Sequence, residues 1–194
     1  MGPRAILSFI MAVMVCMLRG VNVGGHNKIK MDLLRALCES QKLRDVQTYV
    51  QSGNAVFRST ESKLGRTSQQ IESAIETKLG FRPAVILRTT DEMRRVVARS
   101  PFAGRRGIEY SKLAVIFLVD QPGAEARERL RQLKPDREQL WIDDREIHIY
   151  FPDGMGRSKL PAALDRALKG VGTGRNWNTV LKLLEMAEKL EAKG

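Results

Sequence analysis

The chain switches repeatedly between two hydrophobic periods, and the order of the switches predicts its elements. Residues 13–18 form a continuous apolar run, which predicts a buried strand. Over residues 32–41, Leu33, Leu34, Leu37 and Cys38 recur at helical spacing and give one apolar face. Residues 46–50 alternate instead, with Val46, Thr48 and Val50 on one side and Gln47 and Tyr49 on the other. Ser52-Gly53-Asn54 is turn chemistry, and residues 55–57 return as a partner strand. A second helix is predicted over 67–79, where Ile71, Ala74, Ile75 and Leu79 share a face and Gly80 supplies a stop. Residues 83–87 read as the closing strand, with Pro83 at the first position, where a strand tolerates it.

A similar order follows. Residues 91–99 read as a short helix ended by Ser100-Pro101, and Gly104-Arg105-Arg106-Gly107 as a basic loop. Residues 113–119 predict another buried strand, and 123–133 a helix stopped before Pro135. Strands at 139–142 and 146–151 flank the turn Asp143-Asp144-Arg145. A helix over 159–168 leads to a glycine-rich connection, 170–174. The last helix, 177–190, carries Val180, Leu181, Leu184 and Ala187 inward. The order β-α-β-β-α thus appears near 12–88 and again near 112–175. It predicts an α+β protein of two ferredoxin-like (alpha-beta plait) βαββαβ-type subdomains in tandem, 11–90 and 91–194, the second with a C-terminal helix.

Composition narrows this picture only slightly. In residues 5–18 only Ser8 is polar, and Arg4 precedes the run, which imitates a signal peptide. No small-x-small cleavage site follows, and the run is shorter than the ~20 apolar residues of a membrane span. Residues 1–10 are expected to be an extension upstream of a start at Met11. The net charge is +11, and the surplus leans forward: residues 1–58 hold 8 basic and 3 acidic residues, residues 121–194 hold 14 and 12. Such a field favours anionic partners, although a basic balance also serves solubility alone. Cys16 falls in the strand-like run and Cys38 on a helix's apolar face, the pattern of reduced core thiols. A Cys16–Cys38 bridge or a reactive thiol is the alternative. A cytoplasmic location is expected.

In a plait the loop after the first strand and the hairpin between the second and third strands share one edge. The first loop carries Arg19, Asn22, Gly24, Gly25, His26, Asn27 and Lys28 ahead of a helix. The hairpin carries Gln51, Ser52 and Asn54. Glycines admit a close backbone approach, and amides at a helix start beside Lys28 suit an anion. The same residues also make ordinary turns. Other chemistry lacks its motif: there is no phosphate-binding G-x-x-x-x-G-K-[ST], no H-E-x-x-H and no C-x-x-C, and 170–174 lacks the dinucleotide spacing. Two histidines and two cysteines make a metal cluster unexpected, and no cofactor is implied. Alternation puts Glu146, His148 and Tyr150 on one sheet face, which reads as a polar sheet surface. Aromatics are only 6% of the chain, and Phe57 alone stands on the strands where an RNA-recognition plait displays its stacking platform.

Four ordered motifs carry a resemblance. Residues 18–31 (LRGVNVGGHNKIKM), 49–57 (YVQSGNAVF), 157–160 (RSKL) and 174–183 (GRNWNTVLKL) closely resemble the domain-of-unknown-function 1697 family, from about Met11 to the C-terminus. The resemblance implies the two-plait architecture and no activity. It implies a first polar signature at Arg19, Asn22, Gly24, Gly25, Asn27 and Lys28, with His26 where a basic residue is usual. The second signature falls on Gln51, Ser52, Gly53 and Asn54. Later ones fall on Arg157, Ser158 and Lys159, and on Arg175, Asn176, Trp177 and Asn178. By their own chemistry, Ser158 suits a helix cap, with Arg157 and Lys159 beside it for an anion. Trp177 suits a core anchor, with Asn176 or Asn178 as the cap.

The residues thus predict a protein whose basic polar edge holds a phosphate-bearing or other anionic small molecule. Two alternatives stand beside it: weak, sequence-independent nucleic-acid binding, and an enzyme using His26 or Arg19 with the asparagines.

Overall fold

The computed structural model describes residues 11–60 and 64–193; the expectations for residues 1–10 lie outside these. The first apolar run is β1 (Ala12–Leu18), buried on both faces over most of its length. It is followed by α1 (Met31–Ser40), β2 (Arg44–Tyr49), β3 (Asn54–Ser59), α2 (Leu64–Leu79) and β4 (Val85–Thr89). Next come α3 (Thr90–Ala98), β5 (Leu113–Leu118), α4 (Ala124–Arg131), β6 (Gln139–Asp143) and β7 (Glu146–Tyr150). The chain then forms α5 (Leu160–Ala167), β8 (Gly172–Asn176) and α6 (Trp177–Glu191). The strands build two antiparallel four-stranded sheets of the same order, β2-β3-β1-β4 and β6-β7-β5-β8. Each is a ferredoxin-like plait with its helices.

Strand periodicity divides the core into three layers. Met14, Cys16, Leu18, Ala55, Phe57, Val85 and Leu87 face Leu34 and Cys38 of α1 and Ile71 and Ile75 of α2. In the second plait, Ala114, Leu118, Ile147 and Ile149 face α4 and α5. The remaining strand faces meet in one shared cluster: Val13, Val15, Met17, Val56 and Ile86 from the first sheet, and Leu113, Val115 and Phe117 from the second. That cluster also takes Met93 and Val96 of α3 and Trp177, Val180, Leu183, Ala187 and Leu190 of α6. A plait covers one sheet face with its own helices. The other face, apolar on β1 and β5 at its centre and polar toward its ends, must be buried by something else. Each plait supplies the helix that leaves its last strand, with Thr89 capping α3 and Asn176 capping α6 through bonds to Glu92 N and Asn178 N.

Three local expectations are corrected. Residues 170–174 are not merely a connection: Gly172–Asn176 pairs with β5 from Leu118↔Gly172 to Ala114↔Asn176. A ladder is made by backbone groups, so a glycine-rich strand carries no side-chain period to announce it. Val50 does not share a face with Val46 and Thr48; it sits in the hairpin turn at φ 49° and is exposed. A register shift between Arg44 and Gln47, with Asp45 at φ 54°, breaks the alternation of β2. The Glu146–His148 face is not a solvated surface, because both residues are buried on the side where the two plaits meet.

Candidate functional site

The register of the two sheets brings two arginines to equivalent places. Arg88 lies opposite Val15 on β4, and Arg175 lies opposite Val115 on β8. Each reaches into the other plait. Arg175 donates from Nη2 to the Leu18 carbonyl at the end of β1 (2.8 Å), and Arg88 donates from Nη2 to the Leu118 carbonyl at the end of β5 (2.7 Å). Each also donates from Nη1 to the carbonyl of the residue before it, Gly174 or Leu87. Each Nε meets the first residue of the opposing inner strand: Asn54 Oδ1 at 2.5 Å for Arg175, Glu146 Oε1 at 2.8 Å for Arg88. The remaining donors go to hairpin carbonyls, Ser52 for Arg175 and Arg145 for Arg88. This reciprocal exchange is what two plaits related by a local two-fold would make.

The two ends differ in charge. Arg88 is neutralised by Glu146, with Arg145–Glu92 alongside at 2.5 Å. Burial pushes the Arg88 guanidinium down and the Glu146 carboxyl up, and each group opposes the shift in the other. Arg175 is also buried, but among the described residues its hydrogen-bond partners are all neutral. With Thr173 Oγ1 at 2.8 Å, its five N–H donors are all engaged. Burial lowers its pKa to about 10, which still leaves it charged at neutral pH.

Beside this uncompensated cation lies a hollow of about 310 Å³, lined by segments 18–21 and 172–175 with Val23 and Ser52. Arg19 crosses it, donating from Nε to the Gly172 carbonyl (3.0 Å) and from Nη2 to Asp165 (2.9 Å). The loop and hairpin signatures therefore meet residue 175 at one edge. Leu18 N bonds to the Gly53 carbonyl at 2.8 Å, and Asn22 Nδ2 bonds to the Gln51 carbonyl at 2.6 Å. Gly53 has φ 73°, and a Cβ there would come within 2.5 Å of the buried Val21 side chain, so only glycine lets the two segments close.

Most of the polar loop residues hold the loop itself. Asn22 bonds to Ile29 through both its carbonyl oxygen and its amide nitrogen, and Asn27 Nδ2 donates to the Gly20 carbonyl. Gly24 and Gly25, at φ 59° and 81°, make the tight turn in which His26 N bonds to the Val23 carbonyl. Asn54 is fully buried and donates to the Tyr49 carbonyl and Ser52 Oγ. His26, Lys28 and the Gln51 side chain are exposed and do not line the hollow. Asn176 and Asn178 serve the start of α6, with Asn176 Nδ2 donating to the Ser111 carbonyl. Arg157, Ser158 and Lys159 are not brought to this edge. Arg157 and Lys159 are exposed, while Ser158 bonds to Glu138 and accepts from the Leu160 amide at the start of α5.

Sequence reasoning missed the Arg88–Glu146 pair and the lining role of Gly172, Thr173 and Gly174. The available signal was an arginine at the penultimate position of each plait's last strand, immediately before a helix.

Three other buried groups, two thiols and an imidazole, bear on chemistry. Cys16 and Cys38 are free and buried, and burial pushes both thiols up, Cys38 to about 12, so neither is an activated nucleophile. His148 packs against Trp177 with ring centroids 6.3 Å apart, and among the described residues neither its ring nitrogens nor Trp177 Nε1 finds a hydrogen-bond partner. Burial pushes its pKa from 6.5 down to about 4. The unfolded chain therefore binds this proton more readily than the folded one. The stability contributed is complete above pH 6.5 and falls as pH drops toward 4, by up to roughly 3 kcal/mol. Urea midpoints at pH 7.5 and 4.5 check this: the protein should lose much more than a His148→Leu variant, and equal losses would contradict it.

Among the described residues no helix is long and apolar enough to cross a membrane, and no group of three or more His, Cys, Asp or Glu could hold a metal ion. Fold and site together define a class: a tandem-plait protein whose halves exchange buried arginines, one bonded to a carboxylate and the other to an amide. The family model described as "Protein of unknown function (DUF1697)" matches residues 11–148, more than half of the chain, and the protein belongs to that family. The 157–160 and 174–183 motifs lie beyond the matched segment. A solved structure titled "The structure of conserved bacterial protein SP0830 from Streptococcus pneumoniae" shares the fold. Its TM-score is 0.73 at 21% identity, over 92% of this chain and 99% of that one. No curated protein matches the sequence.

Proposed function

We propose that the hollow beside Arg175 binds a phosphate-bearing or other anionic small molecule. The observation that carries this reading is the contrast between the two ends. One register-equivalent arginine has its carboxylate, Glu146, while the other has the amide of Asn54 in that place. A buried cation without a counter-ion costs folding free energy, and an anion in the adjoining hollow offsets that cost. Arg19 adds a second, partly exposed guanidinium, since Asp165 takes only part of its donor set.

Thermal unfolding in inorganic phosphate, pyrophosphate and nucleoside phosphates tests the reading. A binding anion raises the Tm with the logarithm of its concentration. The rise should shrink in an Arg19→Gln variant, whereas general salting-out by phosphate would persist there. No anion-dependent rise, or one equal in both proteins, overturns the proposal.

A further inference from the structure

The second plait is emptier than the first at matching positions, and the vacancy adjoins the cationic hollow. On the helix face of the first sheet, β1 residues Leu18 and Cys16 lie opposite Val85 and Leu87. The matching β5 residues Leu118 and Ile116 lie opposite Gly172 and Gly174. Val85 and Leu87 fill the core under α1 and α2. The glycines leave a chamber of about 270 Å³ under α5, with Ile116, Ile149, Phe151 and Leu168 among its walls.

Close packing explains one glycine and not the other. A Cβ on Gly172 would come within 2.6 Å of Ile116 Cγ2, so that residue is needed for the strands to fit. A Cβ on Gly174 would meet nothing within 4 Å, and its φ is not in the left-handed region. A β-strand position with room for a side chain loses stability by carrying glycine.

Gly172, Gly174 and Arg175 line both the chamber and the hollow. The Arg19–Asp165 ion pair joins them as well, because Asp165 lines the chamber and Arg19 the hollow. At the opposite end, the hollow beside Arg88 is smaller, about 190 Å³, and Val85 and Leu87 stand where the glycines would be. Among the described residues, apolar space and a buried arginine with no carboxylate bonded to it thus occur together at one end only.

We infer that the ligand is amphipathic: its anionic group sits beside Arg19 and Arg175, and a compact apolar group, an aromatic ring or short acyl chain, enters the chamber across the Gly172–Gly174 edge of β8. An apolar cavity of about 150 Å³ accommodates benzene, so the chamber has room for a ring system. Exposed Val23 at the hollow and Met155 at the chamber give the path apolar walls at both ends.

This inference rests on the anion reading, and calorimetric titration with inorganic phosphate, phenyl phosphate and 1-naphthyl phosphate separates the two. The aryl phosphates should bind about tenfold or more tighter than phosphate, as expected for burying an apolar ring. Gly174→Leu, which installs the residue found at the equivalent place in β4, should erase that gain, read as the ratio of aryl phosphate to phosphate affinity in the same variant. Gly174→Ala should erase part of it, and it serves if the leucine variant does not fold. Aryl phosphates that bind no tighter than phosphate, or whose advantage survives in both Gly174 variants, overturn the amphipathic ligand while the anion site stands. Failure of all three probes to bind overturns both.

Discussion

Replacing Arg88 with methionine is expected to lower the free energy of unfolding by about 3–5 kcal/mol, because it strands the buried Glu146 carboxylate. The loss is one of compensation rather than of attraction. Glu146 remains in the interior with its strongest partner gone, and the Leu118 and Arg145 carbonyls lose a donor. The effect should be non-additive. Adding Glu146→Leu to Arg88→Met should restore part of the loss, since a buried pair replaced by apolar groups is far less costly than a broken one. The Leu118 and Arg145 carbonyls limit that recovery. Guanidinium midpoints for the wild type, both single variants and the double variant measure it. A single-variant loss under about 1 kcal/mol, or a strictly additive double, would show that Glu146 finds water or protonates without cost.

Arg175→Met should produce a loss of about 3–4 kcal/mol by a different route, because no carboxylate is stranded. Five acceptors in both plaits lose their donor instead: the Leu18, Ser52 and Gly174 carbonyls, Asn54 Oδ1 and Thr173 Oγ1. No second substitution at Asn54 should rescue it, in contrast to the Arg88 case. Arg175→Lys should fall between, since an ammonium group supplies three donors without the planar fork. The same denaturation series, with Asn54→Ala added, makes the comparison. A rescue at position 54 matching that at 146 would mean that the two ends are electrostatically alike, and the asymmetry argued above would fall.

The legible part of this protein lies in its periods and its turns. The unbroken apolar run of β1 and the faces of α1 and α2 are local patterns, and they specify burial wherever the neighbours come from. Trp177 reads as an anchor from its size and its place at a helix start, and it is buried at the junction of the two plaits. The shared edge of the 18–28 loop and the 51–54 hairpin also follows from chain direction in a plait. The Leu18–Gly53 and Asn22–Gln51 bonds give that edge its geometry.

The rest is pairing information. Glu146 and His148 look like solvent-facing strand residues, because a polar side chain in a strand is read as exposed until its partner is known, and Arg88 falls just past the predicted strand 83–87. Their burial depends on the second plait covering the first, a contact between residues 58 positions apart in the case of Arg88 and Glu146. Arg175 reaches across 157 residues to Leu18, so its place before a helix marks the position locally but not the partner it staples. Gly172 and Gly174 read as part of a glycine-rich connection because glycine has no period, yet their place in β8 is set by β5 and their emptiness is visible only against Val85 and Leu87. The sequence by itself determined two α+β plaits and one edge where polar loops meet. Tertiary structure alone decided which of those residues are spent on folding, that the two ends differ by one carboxylate, and that space opens beside the unpaired charge. Periodicity reports each residue's preference for water or core, whereas charge compensation and cavity volume are properties of pairs and groups brought together from distant parts of the chain.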